Sequence, residues 1–279
     1  MITMFKCQTM SAAAVLAFGL LPRTAHSQAD TRPAPPTDER PAASVAKAGD
    51  ANASPASSPN DYFKNPEAKS VIDRIIKAYG GRENIEKLDR VRIVSQISAG
   101  DREIVLTLYQ TRTALRRDTL SDSLQISECY AGGEDGWMRR NGALMSPPDP
   151  TLQFLKYEID KGLLQQPLLR LLTSPQSKLK FKGKIDFRGT PCYLIETADI
   201  LDRAVDHYFT ASSMLQAADI THDEHGSVTQ LYDRYETFKG VQYARRAIVL
   251  NLQDEIRSKM EIVKTDSDFN DSVFDRPER

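Results

Sequence analysis

The stretch that decides the fold is residues 90–108, which read RVRIVSQISAGDREIVLTL. Apolar side chains alternate with polar ones on either side of a turn at 98–101. A period of two is typical of a β-strand with one buried face. We therefore predict an antiparallel hairpin whose inward positions include Val91, Ile93 and Leu106.

Similar alternation recurs through most of the chain and predicts many further strands. They are expected at about 113–119, 124–130, 134–139, 178–188, 191–198, 204–210, 213–221, 228–239, 242–252 and 256–264. In 178–188, Leu179, Phe181, Gly183, Ile185 and Phe187 alternate with four lysines and an arginine, which predicts one buried and one wet face. The basic row suits an anionic headgroup or an acidic partner, but an ordinary solvated antiparallel face has the same pattern and is the preferred interpretation.

Helical patterns precede and interrupt the strands. Asn65-Pro66 predicts a helix start, apolar residues then follow at i, i+3 and i+4 spacing, and Gly80-Gly81 predicts the end. A short helical piece at 82–88 and a leucine-rich helix at 151–172, broken near Pro167, are also expected. Together the elements predict an α+β fold in which helices cover the apolar face of an antiparallel sheet, leaving a cleft between the layers.

The N-terminal region predicts export. Residues 1–27 have a basic start, an apolar run and small residues before the end, the order of a cleaved signal peptide, with an uncleaved anchor as the alternative. No apolar segment is long enough to span a membrane. Residues 28–60, rich in Ala, Pro and Ser, predict a disordered tether, and 61–279 a single domain.

The net charge limits the class of binding partner, and the cysteine content limits the possible disulfides. The formal charge is −1, and −3 once Lys6 and Arg23 leave with the signal peptide, which argues against nucleic acid as a partner. The exported chain keeps Cys129 and Cys192, which could form a disulfide worth on the order of 4 kcal/mol or remain as two buried thiols.

Motifs for catalysis or cofactor binding are not found in the sequence. There is no nucleophile elbow, no phosphate-binding loop and no Cys-x-x-Cys pair, so we predict a protein that is not an enzyme and needs no cofactor. His222 and His225 flank a predicted turn, where metal ligands or a plain charged turn are alternatives, and we predict no metal site.

Apolar residues are the best candidates for ligand contacts. Flexible methionines and flat aromatic rings suit a cleft for acyl chains or an apolar peptide, and they suit an ordinary core as well. The candidates are Trp137, Met138, Met145, Phe154, Leu155 and Tyr157.

Several segments resemble a known family. The helix end at 75–83 leading into 88–91, the Gly-Trp strand at 133–137, the insertion at 151–172 and the ending at 269–277 are similar to outer-membrane lipoprotein-sorting-like proteins, which resemble the periplasmic carriers LolA and LolB. The resemblance implies a strongly curved sheet, an unclosed half-barrel, with helices on its concave side over an apolar cavity that holds acyl chains in the carriers.

Two functions are compatible with these sequence features. The first is a periplasmic, monomeric carrier or chaperone that binds a lipid or an acylated lipoprotein, because acyl burial at ~0.8 kcal/mol per methylene needs no polar motif. The second is an interaction or sensory module of the envelope that binds a protein and has no lipid cargo. A hydrolase would need convergent polar residues in the cleft.

Overall fold

The computed structural model describes residues 65–132, 136–165, 179–198, 203–223, 226–250 and 255–278, so the predicted signal peptide and tether lie outside the described ranges. Its helices are α1 (Pro66–Ala78), α2 (Arg82–Lys87) and α3 (Asp149–Lys161). Single 3-10 turns occur at Leu163–Gln165 and Asp271–Phe274. The strands are β1 (Arg90–Ala99), β2 (Arg102–Thr111), β3 (Leu115–Ser121), β4 (Leu124–Tyr130), β5 (Gly136–Arg140), β6 (Ala143–Met145), β7 (Lys180–Phe187), β8 (Thr190–Ala198), β9 (Ala204–Thr210), β10 (Gln216–Asp223), β11 (Gly226–Phe238), β12 (Val241–Leu250) and β13 (Ile256–Asp266).

All thirteen strands form one antiparallel sheet in the order β6-β5-β4-β3-β2-β1-β13-β12-β11-β10-β9-β8-β7. Two meanders therefore meet in the middle, where β1 pairs with β13, the last strand of the chain. The sheet does not close, and β6 and β7 are its two edges. With its helices it forms an α+β, unclosed half-barrel, which confirms the predicted fold class.

The predicted first helix is confirmed at both ends. Asn65 caps α1, because its Oδ1 accepts hydrogen bonds from the backbone N–H groups of Glu67 (3.0 Å) and Ala68 (3.2 Å). Five apolar side chains of α1 are buried against the sheet. The valine and the three isoleucines among them each contribute roughly 1.5–3 kcal/mol of hydrophobic stabilisation, so this face, more than intrinsic helix propensity, holds α1 in place.

The Gly80-Gly81 pair also fastens α1 to the sheet. Both glycines have positive φ angles, 108° and 85°, in the region that favours glycine. The backbone of Gly80 lies so close to the β11–β12 turn that a Cβ atom there would overlap the carbonyl oxygen of Gly240. The N–H of Gln242 donates to the carbonyl oxygen of Tyr79 (3.1 Å), which completes the junction.

The main core lies between the helices and one face of the sheet. It joins Ile72 and Ile75 of α1, Leu155 of α3, and strand residues such as Ile93 and Ile195. We call this helix-covered side the concave face and the opposite side the convex face. A second apolar cluster on the concave face contains strand residues, including Ile97 and Met260.

The convex face also carries apolar clusters. One, around Cys129 and Trp137, is covered by the C-terminal segment, whose Phe269 and Phe274 pack on it. The other, around Cys192 and Tyr208, lies on strands β7 to β11. Both faces of this sheet therefore bury apolar side chains.

The structure of β7 shows that the prediction of one buried and one wet face in residues 178–188 is wrong. A register shift between Phe181 and Gly183 interrupts the expected alternation of faces. Phe181 consequently packs with the main core, whereas Ile185 belongs to the convex cluster around Cys192. Lys180 and Lys182 both pair with Glu196, at 2.5 and 3.1 Å, so the basic row is not one continuous wet face.

Two further differences concern the region after β4. A single strand is expected at 134–139, but this region is the first strand, β5, of a hairpin. Asn141 and Gly142 adopt positive φ angles of 47° and 87° and turn the chain into the second strand, β6. The helix expected over 151–172 ends at Lys161, where Gly162 (φ 91°) supplies its C-terminal cap, and 166–178 lie outside the described residues. The other predicted strands are confirmed, with ends that differ by about three residues at most.

Candidate ligand-binding site

A row of side chains crosses the concave face beneath α3. Directly opposed residues of neighbouring strands point to the same side of a sheet. Register therefore aligns one residue from each of five strands: Leu108, Arg117, Glu128, Met138 and Met145. The row therefore has a basic and an acidic side chain, Arg117 and Glu128, between apolar side chains.

Helix α3 covers this row. Phe154 places its ring 4.7 Å from the Arg117 guanidinium carbon, a cation–π contact, and Lys156 stands 5.1 Å above the ring of Tyr130. Gly136 allows the close approach, because a Cβ atom there would meet a methyl group of Leu152 and the carbonyl oxygen of Cys129.

The C-terminal end of α3 is tied to the sheet by a buried amide. Nε2 of Gln110 donates to the carbonyl oxygens of Glu158 and Gly162, both at 3.2 Å. Leu155 and Ile159 add apolar contacts to the main core. The helix is therefore held by its second half, while its first half rests on the Arg117 row.

Arg117 and Glu128 form a buried ion pair in which one NH₂ group of the guanidinium has no partner among the described residues. The Arg117 Nε donates to Oε2 of Glu128 at 2.7 Å, and Nη2 contacts the same oxygen. Their side chains are 13% and 9% exposed. Nη1 of Arg117 is buried without a hydrogen-bond partner among the described residues, an arrangement that costs about 1–3 kcal/mol or more for a charged group.

The six predicted ligand residues are not all brought together. Met138 and Phe154 lie in the covered row, and Met145, at its end, is exposed at the sheet edge. Leu155 is fully buried in the core, and Tyr157 is half-buried on α3. Their contact with a ligand remains a prediction.

Trp137 lies on the other side of the sheet from these residues. It pairs with Cys129 on the convex face, and its Nε1 donates to the carbonyl oxygen of Phe274 at 3.0 Å. Arg116 lies over the indole ring at 5.4 Å. Trp137 is therefore part of the contact with the C-terminal segment and does not share a cleft with Phe154.

Cys129 and Cys192 are both free and fully buried, so the disulfide alternative is wrong and the two-thiol alternative describes the structure. Eight strands of the sheet separate β4 from β8. Burial raises the pKa of the Cys129 thiol to about 12, and it also raises that of Cys192. Thiols held protonated in this way are unreactive.

A second polar group, which the sequence did not predict, lies on the concave face of β8, β9 and β10. Nε2 of His207 lies 2.8 Å from the hydroxyl of Thr197, and Nδ1 lies 2.5 Å from Oδ1 of Asp219. Asp219 also accepts from Gln216 and, at 2.8 Å, from the hydroxyl of Tyr232. Burial, aided by the negative charge of Asp219, raises the pKa of Tyr232 well above its ordinary value.

These contacts extend to the end of α1. The hydroxyl of Tyr79 accepts from the N–H of Gln216 (3.1 Å), and the hydroxyl of Tyr235 donates to the carbonyl oxygen of Gln216 (2.7 Å). Burial raises the pKa of Tyr79 to about 12. The order hydroxyl, imidazole, carboxylate is that of a hydrolytic triad. Here Thr197 and His207 are buried and Asp219 has several donors, so we assign the group a structural role.

One signal in the sequence could have revealed Arg117. In the predicted strand 113–119 it occupies an inward position between Leu115 and Thr119, and a charged residue on a buried face needs a partner. The partner, Glu128, lies on the next strand and could be assigned only with the register. His207 gave no comparable signal, because its partners come from two other strands.

Comparison with known proteins supplies fold similarities alone. No family model matches the chain, and no curated protein matches it. Similar solved structures include a DUF1329 family protein from Desulfovibrio piger, with TM-score 0.48, 11% identity and coverage of 74% of this chain and 96% of that one.

Two more solved structures are similar to this chain at comparable scores. An outer membrane lipoprotein-sorting protein domain from Vibrio parahaemolyticus has TM-score 0.48, 9% identity and coverage of 73% and 95%. A LolA superfamily protein from Nitrosomonas europaea has TM-score 0.45, 13% identity and coverage of 72% and 96%. Because these identities are so low, the role of a residue in one of those proteins cannot be assigned to a residue of this chain.

Among the residues that the structure describes, no helix combines the length and the apolar character needed to cross a membrane.

Proposed function

We propose that this protein is a periplasmic, non-enzymatic carrier or chaperone that binds a lipid or a lipidated protein between the concave face and α3. The predicted signal peptide supports export, and the tether would give the domain reach. The observation that carries the proposal is the buried guanidinium of Arg117, which keeps one NH₂ group unpaired beneath a helix fastened mainly at its other end.

The chemistry of this position suits an acylated ligand. An ester or amide carbonyl would accept a hydrogen bond from Nη1 of Arg117, removing the unpaired donor. Acyl chains would pack on Met138 and Phe154, at ~0.8 kcal/mol for each methylene group removed from water. Entry would require the first half of α3, which begins after two prolines at 147 and 148, to lift from the sheet while Gln110 holds its far end.

The test is native mass spectrometry of the mature protein purified from the periplasm, followed by organic extraction and lipid analysis. We expect a stoichiometric acylated species in the wild type and its loss in Phe154→Asp. Leu120→Asp is the matched control, because it places the same charge on an exposed side chain of the convex face. Circular dichroism of both variants checks that each of them is folded.

The opposite result is also informative. A wild-type protein that is empty, and that ignores added lipids and lipopeptides, would overturn the carrier proposal. The envelope interaction module would then be the better description, and the search would turn to a protein partner.

A further inference from the structure

The two edges of the sheet are built differently. Edge β7 carries the register shift at Lys182 and several lysines, two devices that discourage pairing with another strand. Edge β6, at 143–145, has no charged side chain. It pairs with β5 on one side, and among the described strands it has no neighbour on the other, so backbone N–H and C=O groups face outward there.

A cavity of about 420 Å³ adjoins the β6 edge. It is lined by Leu144 and Met145 of β6 and by Arg139 of β5. Arg276 and Glu278 of the C-terminal segment also line it. The volume falls within the ~300–1,000 Å³ typical of ligand sites.

The charge around this cavity is not balanced by ion pairs. Arg139 and Arg276 are exposed and make no ion pair with any residue that the structure describes, and neither does Glu278. Most other described arginines, such as Arg92 and Arg246, have a carboxylate within 4 Å. Two guanidinium groups, one carboxylate and the apolar side chains of β6 therefore line the same cavity, a combination that favours an anionic occupant with apolar side chains.

We propose that the β6 edge and its cavity bind an extended segment of a partner protein that alternates acidic and apolar residues. The backbone of the segment would pair with the outward groups of β6, the mode known as strand addition. Its carboxylates would meet Arg139 and Arg276 on the convex face, and its apolar side chains, which point to the other face of an extended segment, would contact Met145. Met145 also stands at the end of the row under α3, but Arg139 and Arg276 are not part of that row, so replacing them leaves the proposed lipid site unchanged.

The test uses three fluorescein-labelled peptides and fluorescence anisotropy with the mature protein. One peptide alternates valine and glutamate, the second alternates valine and lysine, and the third is the glutamate peptide with N-methylated backbone amides. We expect binding of the first alone, weakened by added salt. The third peptide keeps the charges but cannot add a strand, so its failure to bind separates backbone pairing from simple charge attraction.

Matched variants locate the site. Arg139→Glu combined with Arg276→Glu should weaken binding of the glutamate peptide by at least about tenfold, because attraction becomes repulsion at both arginines. Arg102→Glu combined with Lys259→Glu makes the same change in net charge at exposed positions far from β6 and should leave binding unchanged.

Three outcomes overturn the proposal. They are no binding of the glutamate peptide up to millimolar concentration, equal loss of binding in both double variants, and equal binding of the N-methylated peptide. A concentration-dependent dimer that dissociates in Arg139→Glu/Arg276→Glu, without peptide binding, would instead assign this edge to a second copy of the chain. None of these outcomes bears on retention of lipid under α3.

Discussion

At the scale of single residues, the Arg117–Glu128 pair should show strong coupling. Arg117→Met leaves the carboxylate of Glu128 buried without its partner, which typically costs about 3–5 kcal/mol. Replacing both residues by methionine removes both charges and should cost much less than either single change. Urea unfolding of the four proteins, followed by far-ultraviolet circular dichroism, gives the coupling free energy.

The control for this cycle is the pair Asp233 and Arg246, which is hydrogen-bonded across β11 and β12 but is 30–42% exposed. Solvent screens such a pair, and its coupling should be ~1 kcal/mol or less. Equal coupling in the two pairs would contradict the distinct, desolvated character assigned to Arg117.

The Asp266 carboxylate should make stability depend on pH in the acid range. Partial burial acts to raise its pKa, but hydrogen bonds from Arg92, the Asp268 N–H and Lys264 outweigh burial, so the pKa lies below its ordinary value of 3.8. A depressed pKa gives stabilisation that is complete above the ordinary value and is lost as pH falls through the folded-state value.

We therefore expect Asp266→Asn to be less stable than the wild type at neutral pH, with the difference shrinking as pH is lowered below about 4. Urea unfolding at a series of pH values measures it. Asp101→Asn, which removes a carboxylate from an exposed turn, is the control. A difference for Asp266→Asn that stays constant with pH would refute this interpretation.

At the scale of elements, the junction of α1 with the β11–β12 turn depends on backbone proximity. Gly80→Ala should destabilise the protein by at least about 3 kcal/mol, because its methyl group would overlap the backbone of Gly240 and force the helix end away. Thermal unfolding followed by circular dichroism is the measurement.

Gly81→Ala separates two possible causes of the destabilisation in Gly80→Ala, which are overlap with the Gly240 backbone and the cost of a positive φ angle for alanine. Gly81 shares the positive φ angle, but a Cβ atom there would meet nothing within 4 Å. Gly81 lies at φ 85° and ψ 156°, a region that is nearly exclusive to glycine, so only a backbone penalty of about 1–3 kcal/mol should remain. If both variants lose the same stability, close approach is not what Gly80 provides.

At the scale of the whole molecule, the C-terminal segment runs back over the convex face and joins the end of the chain to β2, β3 and β5. Phe269 packs edge-on against Tyr109 with ring centroids 5.6 Å apart, and Arg116 donates to the carbonyl oxygen of Val273 at 2.9 Å. Phe274 then covers Trp137. This segment closes one apolar cluster that the sheet alone would leave open.

Trp137 is the single tryptophan, so its fluorescence reports on this contact. Phe274→Ala should shift the emission to longer wavelength and increase quenching by acrylamide, with a loss of about 3–5 kcal/mol of stability. Leu120→Ala, on an exposed position of the same face, should leave the emission unchanged. An unshifted spectrum in Phe274→Ala would show that this ring does not shield Trp137.

The sequence by itself determined the features that depend on near neighbours. The cap at Asn65, the end of α1 at Gly80, the first hairpin and nearly every strand followed from local periodicity and turn chemistry. The α+β class followed from their order. These predictions succeeded because the physical cause of each feature lies within a few residues of the chain.

Only the tertiary structure decided which strands meet and which side chains share a face. Pairing of β1 with β13 brings together residues far apart in the chain, and Arg117 finds Glu128 through strand register. Adjacent residues Trp137 and Met138 point to opposite faces, so their shared apolar character did not place them in one cleft. The bulge in β7 likewise exchanges faces within one strand. Such outcomes depend on register and long-range packing, where a shift of one residue reverses every side chain, and local composition does not encode that choice.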